Sequence, residues 1–453
     1  MHKPFSVIKV IRGKIVAKTM STNPAYTLLT PEGWVGVKQE SSESDFAIGS
    51  MVEADAENAS SIKKIESPDL ERKIEGFVEK NAKPHSASLL VDDDAMRKFA
   101  PALEKAAEAI ARRLLQLTPV LIRFNDDCDG ISAGVLVKNS VEKFVGEKNV
   151  PFPKGFLKNK QCNSAVYGSG EAVFDTEAMG ATQFGRKPLL FLLDFGANEE
   201  SVEGLALAKE NFDIAVIDHH VYSENAKELA SVFLNPLEFG GTSSHTTGLV
   251  AHEFAQRLSQ GNENYARYSL QSDKSVFWDK AERKEALVLD FLAGQNLSLE
   301  RYERALEKET QFHYLEANAK LNAAFEKALV SAKSESAGKA ILVSANLEGV
   351  TAKNEFPPKG KVLNKIQEHF EKQNELAASV GFDSTTIQFR VSKPLHAKGF
   401  KATEIIGMVK KEFSGVNGGG HEQAAAMRFE KGHSRIILEK TLEFCRAKLT
   451  AVP

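Results

Sequence analysis

Hydrophobic and polar positions change rhythm three times along the chain. Up to about Ser67 they come as short alternating runs, Ser6-Val7-Ile8-Lys9-Val10-Ile11 and Gly33-Trp34-Val35-Gly36-Val37, broken by Asn23-Pro24 and Pro31-Glu32-Gly33. Period-two runs between turn residues predict strands, and several such strands predict a small OB-like β-barrel over residues 1–67. Pro68 to Asp93 is charged and irregular and reads as a linker. From Asp94 to Gln116, Met96, Phe99, Leu103, Ala106, Ile110 and Leu114 recur every three or four residues, the period of a helix. Three continuous apolar runs follow, Val120-Leu121-Ile122, Leu189 to Leu193 and Ile214 to Ile217. Helical stretches such as Ile131 to Phe144 and Glu200 to Glu210 separate them. Buried strands alternating with helices predict an α/β unit with a doubly wound parallel sheet, here spanning 94–279.

Residues 280–338 are charged and helix-prone and end in Ser334-Glu335-Ser336-Ala337-Gly338, which reads as a connecting helical segment and hinge. A smaller α/β unit over 339–453 is predicted from strands at Ala340 to Val343, Thr386 to Val391 and Gln423 to Phe429. Its helices are expected at Val362 to Gln373 and Ala402 to Phe413.

Composition narrows the class without naming a chemistry. The 453 residues are 42% hydrophobic and 26% charged, the balance of a globular protein of about three folding units. No apolar run approaches the ~18 residues of a membrane span. Met1-His2-Lys3-Pro4 is not followed by the apolar stretch of a secretory signal, and Cys128, Cys162 and Cys445 cannot build a disulfide framework, so a cytoplasmic protein is expected. A net charge of −3 excludes a bulk polycation, so any site for a polyanion must be local.

The chemistry lies at the strand ends. The first apolar run opens into Asn125-Asp126-Asp127-Cys128-Asp129-Gly130, the second into Asp194-Phe195-Gly196, the third into Asp218-His219-His220. In open parallel sheets ligands bind outside the carboxyl ends of the strands, so these loops should meet in one crevice. Each group alone has a plain reading, as a solvated acidic turn or a helix cap. The first loop also mimics the start of a calcium loop, but Leu136 stands where the bidentate Glu is needed. Packed together, carboxylates repel unless a cation neutralises them, and oxygen-rich ligands with one or two imidazoles suit Mn²⁺ or Mg²⁺. Two such metals would polarise a phosphoryl group, so phosphoester hydrolysis is the natural chemistry. In the last unit Gly418-Gly419-Gly420-His421 allows close backbone approach to an anion. Arg390, Lys393, Lys398, Lys401, Lys410 and Lys411 make its surroundings basic.

Together these motifs resemble the DHH phosphoesterases with a DHHA1-type carboxy-terminal domain. Leu193-Asp194-Phe195-Gly196, Ile217-Asp218-His219-His220 and Asn235-Pro236 are most similar to the archaeal RecJ-type single-strand exonucleases. The resemblance covers roughly Asp93 to Phe429. It implies one metal on Asp129, Asp194, His219 and a later aspartate, for which Asp273 fits best and Asp279 and Asp290 are rivals. It implies a second metal on Asn125, Asp127 and the bridging Asp194. His220 would face the scissile phosphate, with Asp218 orienting the histidines. Arg390, Gly418, Gly419, Gly420 and His421 would grip the substrate from the second domain, with His245 and Gly248 near the substrate. The family usually has His or Asp where this chain has Asn125, which weakens the second metal. The implied substrate is single-stranded DNA or RNA, with replication or repair proteins as further partners. A hydrolase of di- or cyclic dinucleotides and a catalytically weak replication scaffold are the alternatives. A related pyrophosphatase type lacks the Gly-Gly-Gly-His feature.

Overall fold

The computed structural model describes residues 10–19, 25–38, 46–55, 62–180, 186–259, 261–352 and 355–452. Ser6 to Lys9 of the first expected strand and the Asn23-Pro24 turn lie outside them. The chain divides into two compact units, one of residues 1–286 with 296–304, the other of 287–295 with 305–453.

The first unit begins with five strands, β1 (Val10–Lys18), β2 (Ala25–Thr30), β3 (Gly33–Lys38), β4 (Met51–Asp55) and β5 (Ile62–Lys64). They form an antiparallel sheet in the order β3-β2-β1-β4-β5, and among the described residues no pairing joins β3 to β5. Ile15, Tyr26, Leu28, Val37, Val52 and Ala54 supply its core, as the alternation of each strand requires. Pro68–Ala82, expected as linker, is a helix. Ser67 caps it by accepting from the Leu70 amide, and Pro68 opens it where a missing N–H costs nothing. Ile74, Val78 and Ala82, spaced by four, are its buried stripe, too thin to stand out among the charges around it. Trp34 ties the sheet to the two helices after it: its indole donates to the Leu115 carbonyl and its ring meets Phe77 edge-on at 5.6 Å.

The parallel sheet holds β6 (Val120–Asn125), β7 (Leu157–Cys162), β8 (Leu189–Leu193), β9 (Asp213–Ile217) and β10 (Val232–Leu234). Their order is β10-β9-β8-β6-β7, and every pairing is parallel. The three apolar runs are the central strands β6, β8 and β9, and all five residues of β8 are buried, because helices cover both faces. The helices Cys128–Glu147 and Thr247–Leu258, buried along most of their length, belong to this unit.

The second unit carries β11 (Lys333–Ala337), β12 (Ala340–Asn346), β13 (Ala377–Phe382), β14 (Thr386–Val391), β15 (Asn417–His421) and β16 (Ala424–Arg428) in the order β11-β12-β13-β14-β16-β15. One expectation changes here. The segment read as a hinge is strand β11, paired in full register with β12. The glycine triplet forms edge strand β15, in which Gly418 faces Met427 and Gly420 faces Ala425. The expected strands and helices otherwise fall within a few residues of those found. Ile387, Phe389 and Val391 point from β14 into one core with Ile405 and Val409, leaving Gln388 and Arg390 to the opposite face. Among the described residues no helix is long and apolar enough to cross a membrane.

Candidate metal centre

The carboxyl ends of β6, β8 and β9 bring the expected acidic residues together. β6 ends at Asn125, and Asp127 then caps the helix Cys128–Glu147 by accepting from the Gly130 amide at 2.9 Å. The turn is tight enough that a Cβ on Gly130 would lie 2.7 Å from Asn125 backbone atoms, so only glycine lets this helix start so close to the strand end. Asp129, one residue into the helix, is buried. Asp194 follows β8 with φ +66°, a left-handed conformation that is uncommon outside glycine. Strain of this kind clusters at functional sites.

These groups converge on His219. Its Nε2 lies 3.5 Å from Asp194 Oδ1, 3.7 Å from Asp129 Oδ2 and 3.7 Å from Asp273 Oδ2. One potential ligand atom from each of Asp129, His219 and Asp273 falls within 4.8 Å of the others, and the same holds for Asp194, Asp218 and His220. Asp273 ends the helix Glu263–Ser272 and is the aspartate of the three candidates that reaches His219. Asp279 is held by Arg283 and Arg267, and Asp290 pairs with Lys361 in the second unit. Asn125 Nδ2 donates to Asp194 Oδ2 at 3.3 Å.

Hydrogen bonds fix which atoms face inward. His219 Nδ1 lies 2.9 Å from the Ser243 carbonyl, an acceptor only, so the proton sits on Nδ1 and the Nε2 lone pair faces the carboxylates. Burial and neighbouring His220 push the His219 pKa down, which keeps the imidazole neutral, as a metal ligand must be. Asp218 Oδ1 accepts from the His219 and His220 amides at 2.8 and 3.1 Å and meets His220 Nδ1 at 2.8 Å. Against the cost of burial, the charge of His220 and this hydrogen bonding hold Asp218 down at about 2. The same carboxylate outweighs burial to raise His220 to about 9. Asp194 goes the other way. Burial, then Asp129, Asp127, Asp218 and Asp273, push it well above the usual carboxylate range.

Four residues that sequence reasoning did not assign to the cluster complete it. The amides of Thr247 and Gly248, which open the helix Thr247–Leu258, donate to Asp129 Oδ2 and Oδ1 at 2.9 and 2.7 Å. Ser269 Oγ adds a bond to Oδ1 at 2.6 Å, and Thr247 Oγ1 donates to Asp194 Oδ1 at 2.9 Å. Thr246 Oγ1 bonds Ser269 Oγ. Gly248, expected near the substrate, instead lies against Asp129: a Cβ there would meet Ser269 Cβ at 2.5 Å and Asp129 Oδ1 at 3.1 Å. Its proximity to Thr246 and Thr247 was the only signal available in the sequence.

His245 is the correction. It is 3% exposed, its Nε2 meets Asp93 Oδ2 at 2.8 Å, and its Nδ1 accepts from the Thr242 amide at 3.0 Å. Both nitrogens are occupied within the fold, so the ring ties the start of the helix Asp94–Leu115 to the 242–245 turn and is not available to a substrate. Arg390, Gly418, Gly419, Gly420 and His421 belong to the second unit. There the Arg390 guanidinium bonds Asn364 Oδ1 and the carbonyls of Phe389 and Gly360, and the glycines and His421 form β15.

Residues 119–273, which include the whole of this centre, match the DHH family, N-terminal domain. Over that stretch the chain is similar to the DHH family. An uncharacterized protein of Methanocaldococcus jannaschii is 21% identical over 84% of this chain, and the chain spans 58% of that relative's length. A solved DHH domain, described as coming from a member of a family of ribosomal proteins, shares 22% identity, with a TM-score of 0.72 over 85% of this chain and 98% of its own. That likeness establishes the fold. RecJ of Thermus thermophilus, solved with Mn²⁺, is similar at 14% identity and a TM-score of 0.48, over 84% of this chain and 59% of its own.

Proposed function

We propose that this protein is a DHH-type phosphodiesterase that releases nucleotides from single-stranded DNA or short RNA. The observation that carries the reading is the buried Asp194, surrounded by four other carboxylates whose mutual repulsion a divalent cation would relieve. The donor set fits Mn²⁺ or Mg²⁺: oxygen ligands with a single neutral imidazole aimed inward, and no thiolate. Asp129, Asp194, His219 and Asp273 would hold one ion, and Asn125, Asp127 and Asp194 a second, with Asn125 contributing only an uncharged amide oxygen. Bound there, the ions would draw charge from a phosphoryl group and activate water for attack on phosphorus.

The chain's own residues orient and exchange protons. Thr247, Gly248 and Ser269 fix Asp129, and the Ser243 carbonyl fixes the His219 tautomer. Asp218 holds His220 by Nδ1, and His220 would carry a proton to the departing oxygen. In the second unit, Arg390, Gly418, Gly419, Gly420 and His421 offer guanidinium, backbone and imidazole donors to phosphate oxygens. A single strand is the substrate that backbone contacts of this kind grip irrespective of sequence.

Digestion of end-labelled single strands with Mn²⁺ tests the reading, with Asp194→Ala as control. Wild-type release of nucleotides, abolished in the variant, is the expected result; no release, or equal release by both, overturns it. A dinucleotide substrate in the same assay separates a strand-processing enzyme from a hydrolase of very small substrates.

A further inference from the structure

In the second unit, the helix Lys359–Glu371 packs against the sheet face that carries Arg390. A guanidinium has five N–H donors. Arg390 Nε donates to Asn364 Oδ1, Nη1 to its neighbour's carbonyl on Phe389 at 2.7 Å, and Nη2 to the Gly360 carbonyl at 3.3 Å. All three acceptors are neutral. Ser379, opposite Arg390 in the β13–β14 register, is fully buried, and its hydroxyl has no hydrogen bond among the described residues. Burial alone pulls the guanidinium down to about 10, with no carboxylate of the described residues acting on it. Nearby Lys359 has its own carboxylate, Asp383, at 2.6 Å, and Lys361 has Asp290. Arg390 differs from both in being oriented without being neutralised.

Gly360 shows how closely this orientation is built. A Cβ at that position would lie 2.8 Å from Arg390 Nη2 and 3.3 Å from Gln388 Oε1. Glycine weakens a helix, so its place in the first turn of this one is explained by the guanidinium seated against it.

We infer that Asn364 and Gly360 are positioning residues for Arg390: they hold the guanidinium by neutral acceptors so that two donors and a full positive charge stay available to a phosphate oxygen. The inference rests on the phosphodiesterase reading and adds to it the residues that keep the anion-binding arginine unpaired. An aspartate at 364 would give equal or better support within the fold but would capture the charge.

Asn364→Asp and Gly360→Ala test this from opposite sides. The first turns the Arg390 contact into an internal ion pair; the second adds a better helix former while displacing Nη2. Urea midpoints should stay level or rise in both, showing that the fold is kept. Calorimetric titration of the full chain with AMP in EDTA should show affinity falling about tenfold, the scale of one charge-assisted hydrogen bond. With Mn²⁺ and a labelled single strand, KM should rise by a similar factor with kcat unchanged. AMP affinity within twofold of wild type in both variants overturns the inference, as does a wild type that does not bind AMP at millimolar concentration. Wild type that binds AMP but hydrolyses no strand instead overturns the phosphodiesterase reading, and the AMP comparison still decides the role of Asn364 and Gly360.

Discussion

Replacing Asp194 by Asn should make the protein more stable without metal and less stable with it. Asp194 is 2% exposed, and its carboxylate is raised by burial and by Asp129, Asp127, Asp218 and Asp273. An uncompensated buried charge costs roughly 3–5 kcal/mol. Asparagine tolerates the same positive φ and keeps an oxygen for Thr247 Oγ1. It turns an amide against the Asn125 donor, losing about 1 kcal/mol. The net gain in EDTA is about 2–4 kcal/mol, the first figure less the second. A carboxyl whose folded pKa is raised contributes stability that is full below the unfolded value of 3.8 and lost as pH rises through the folded value. The advantage of Asp194→Asn should therefore be absent near pH 4 and grow towards neutral and alkaline pH. Manganese at about one hundred times its Kd should stabilise wild type by ~2.7 kcal/mol and the variant far less, so that the two unfolding curves exchange order. Urea denaturation at pH 4, 6 and 8, with EDTA and with Mn²⁺, reads this directly. A variant weaker than wild type in EDTA at pH 8, or equal stabilisation of both by Mn²⁺, would refute the reasoning.

Gly248→Ala should cost about 3 kcal/mol, combining overpacking against Ser269 with a weakened bond to Asp129; urea midpoints and Mn²⁺ titration check it, and unchanged values count against the arrangement. Removing Asp175 leaves Arg123, which has no exposed side-chain surface, with Glu171 as its remaining carboxylate and the Lys160 carbonyl as a neutral acceptor, and takes the acceptor from Tyr167. Asp175→Ala should lose roughly 3–5 kcal/mol in equilibrium unfolding. Burial holds His252 at about 4 against an ordinary 6.5. The stability this neutral ring allows is complete above pH 6.5 and is lost as pH falls to about 4. Relative to His252→Leu, wild type should lose up to about 3 kcal/mol across that window, at ~1.36 kcal/mol per pH unit. Parallel stability profiles for the two proteins would contradict it.

The parts of the site legible in the sequence were those whose signal is local. Asp127, Asp129, Asp194 and His219 each follow a buried apolar run, so the rule for parallel sheets places them before the fold is known. Their supports were not legible, because Thr247 and Ser269 lie 118 and 140 residues from the carboxylate they hold, and nothing in their own neighbourhood announces it. Strand β7, Leu-Lys-Asn-Lys-Gln-Cys, lies at the sheet edge and lacks the apolar run that betrays the central strands. The strand Asn417–His421 has almost no side chains to carry β-propensity and exists through pairing with β16. His245 went astray for a related reason: histidine beside a glycine and two threonines suggests ligand chemistry, and only the fold reveals that Asp93 has claimed it.

The grip on Asp129 by two main-chain amides makes that part of the centre invisible to side-chain replacement. Every amino acid except proline carries the N–H that Thr247 donates, so substitutions there leave this bond in place and disturb only the separate hydroxyl contact to Asp194. An alanine scan would therefore score the position by the wrong interaction. Proline at 247 is the change that removes the amide bond to Asp129 Oδ2 while leaving the acidic and histidine side chains of the cluster, and the Gly248 and Ser269 bonds to Oδ1, in place.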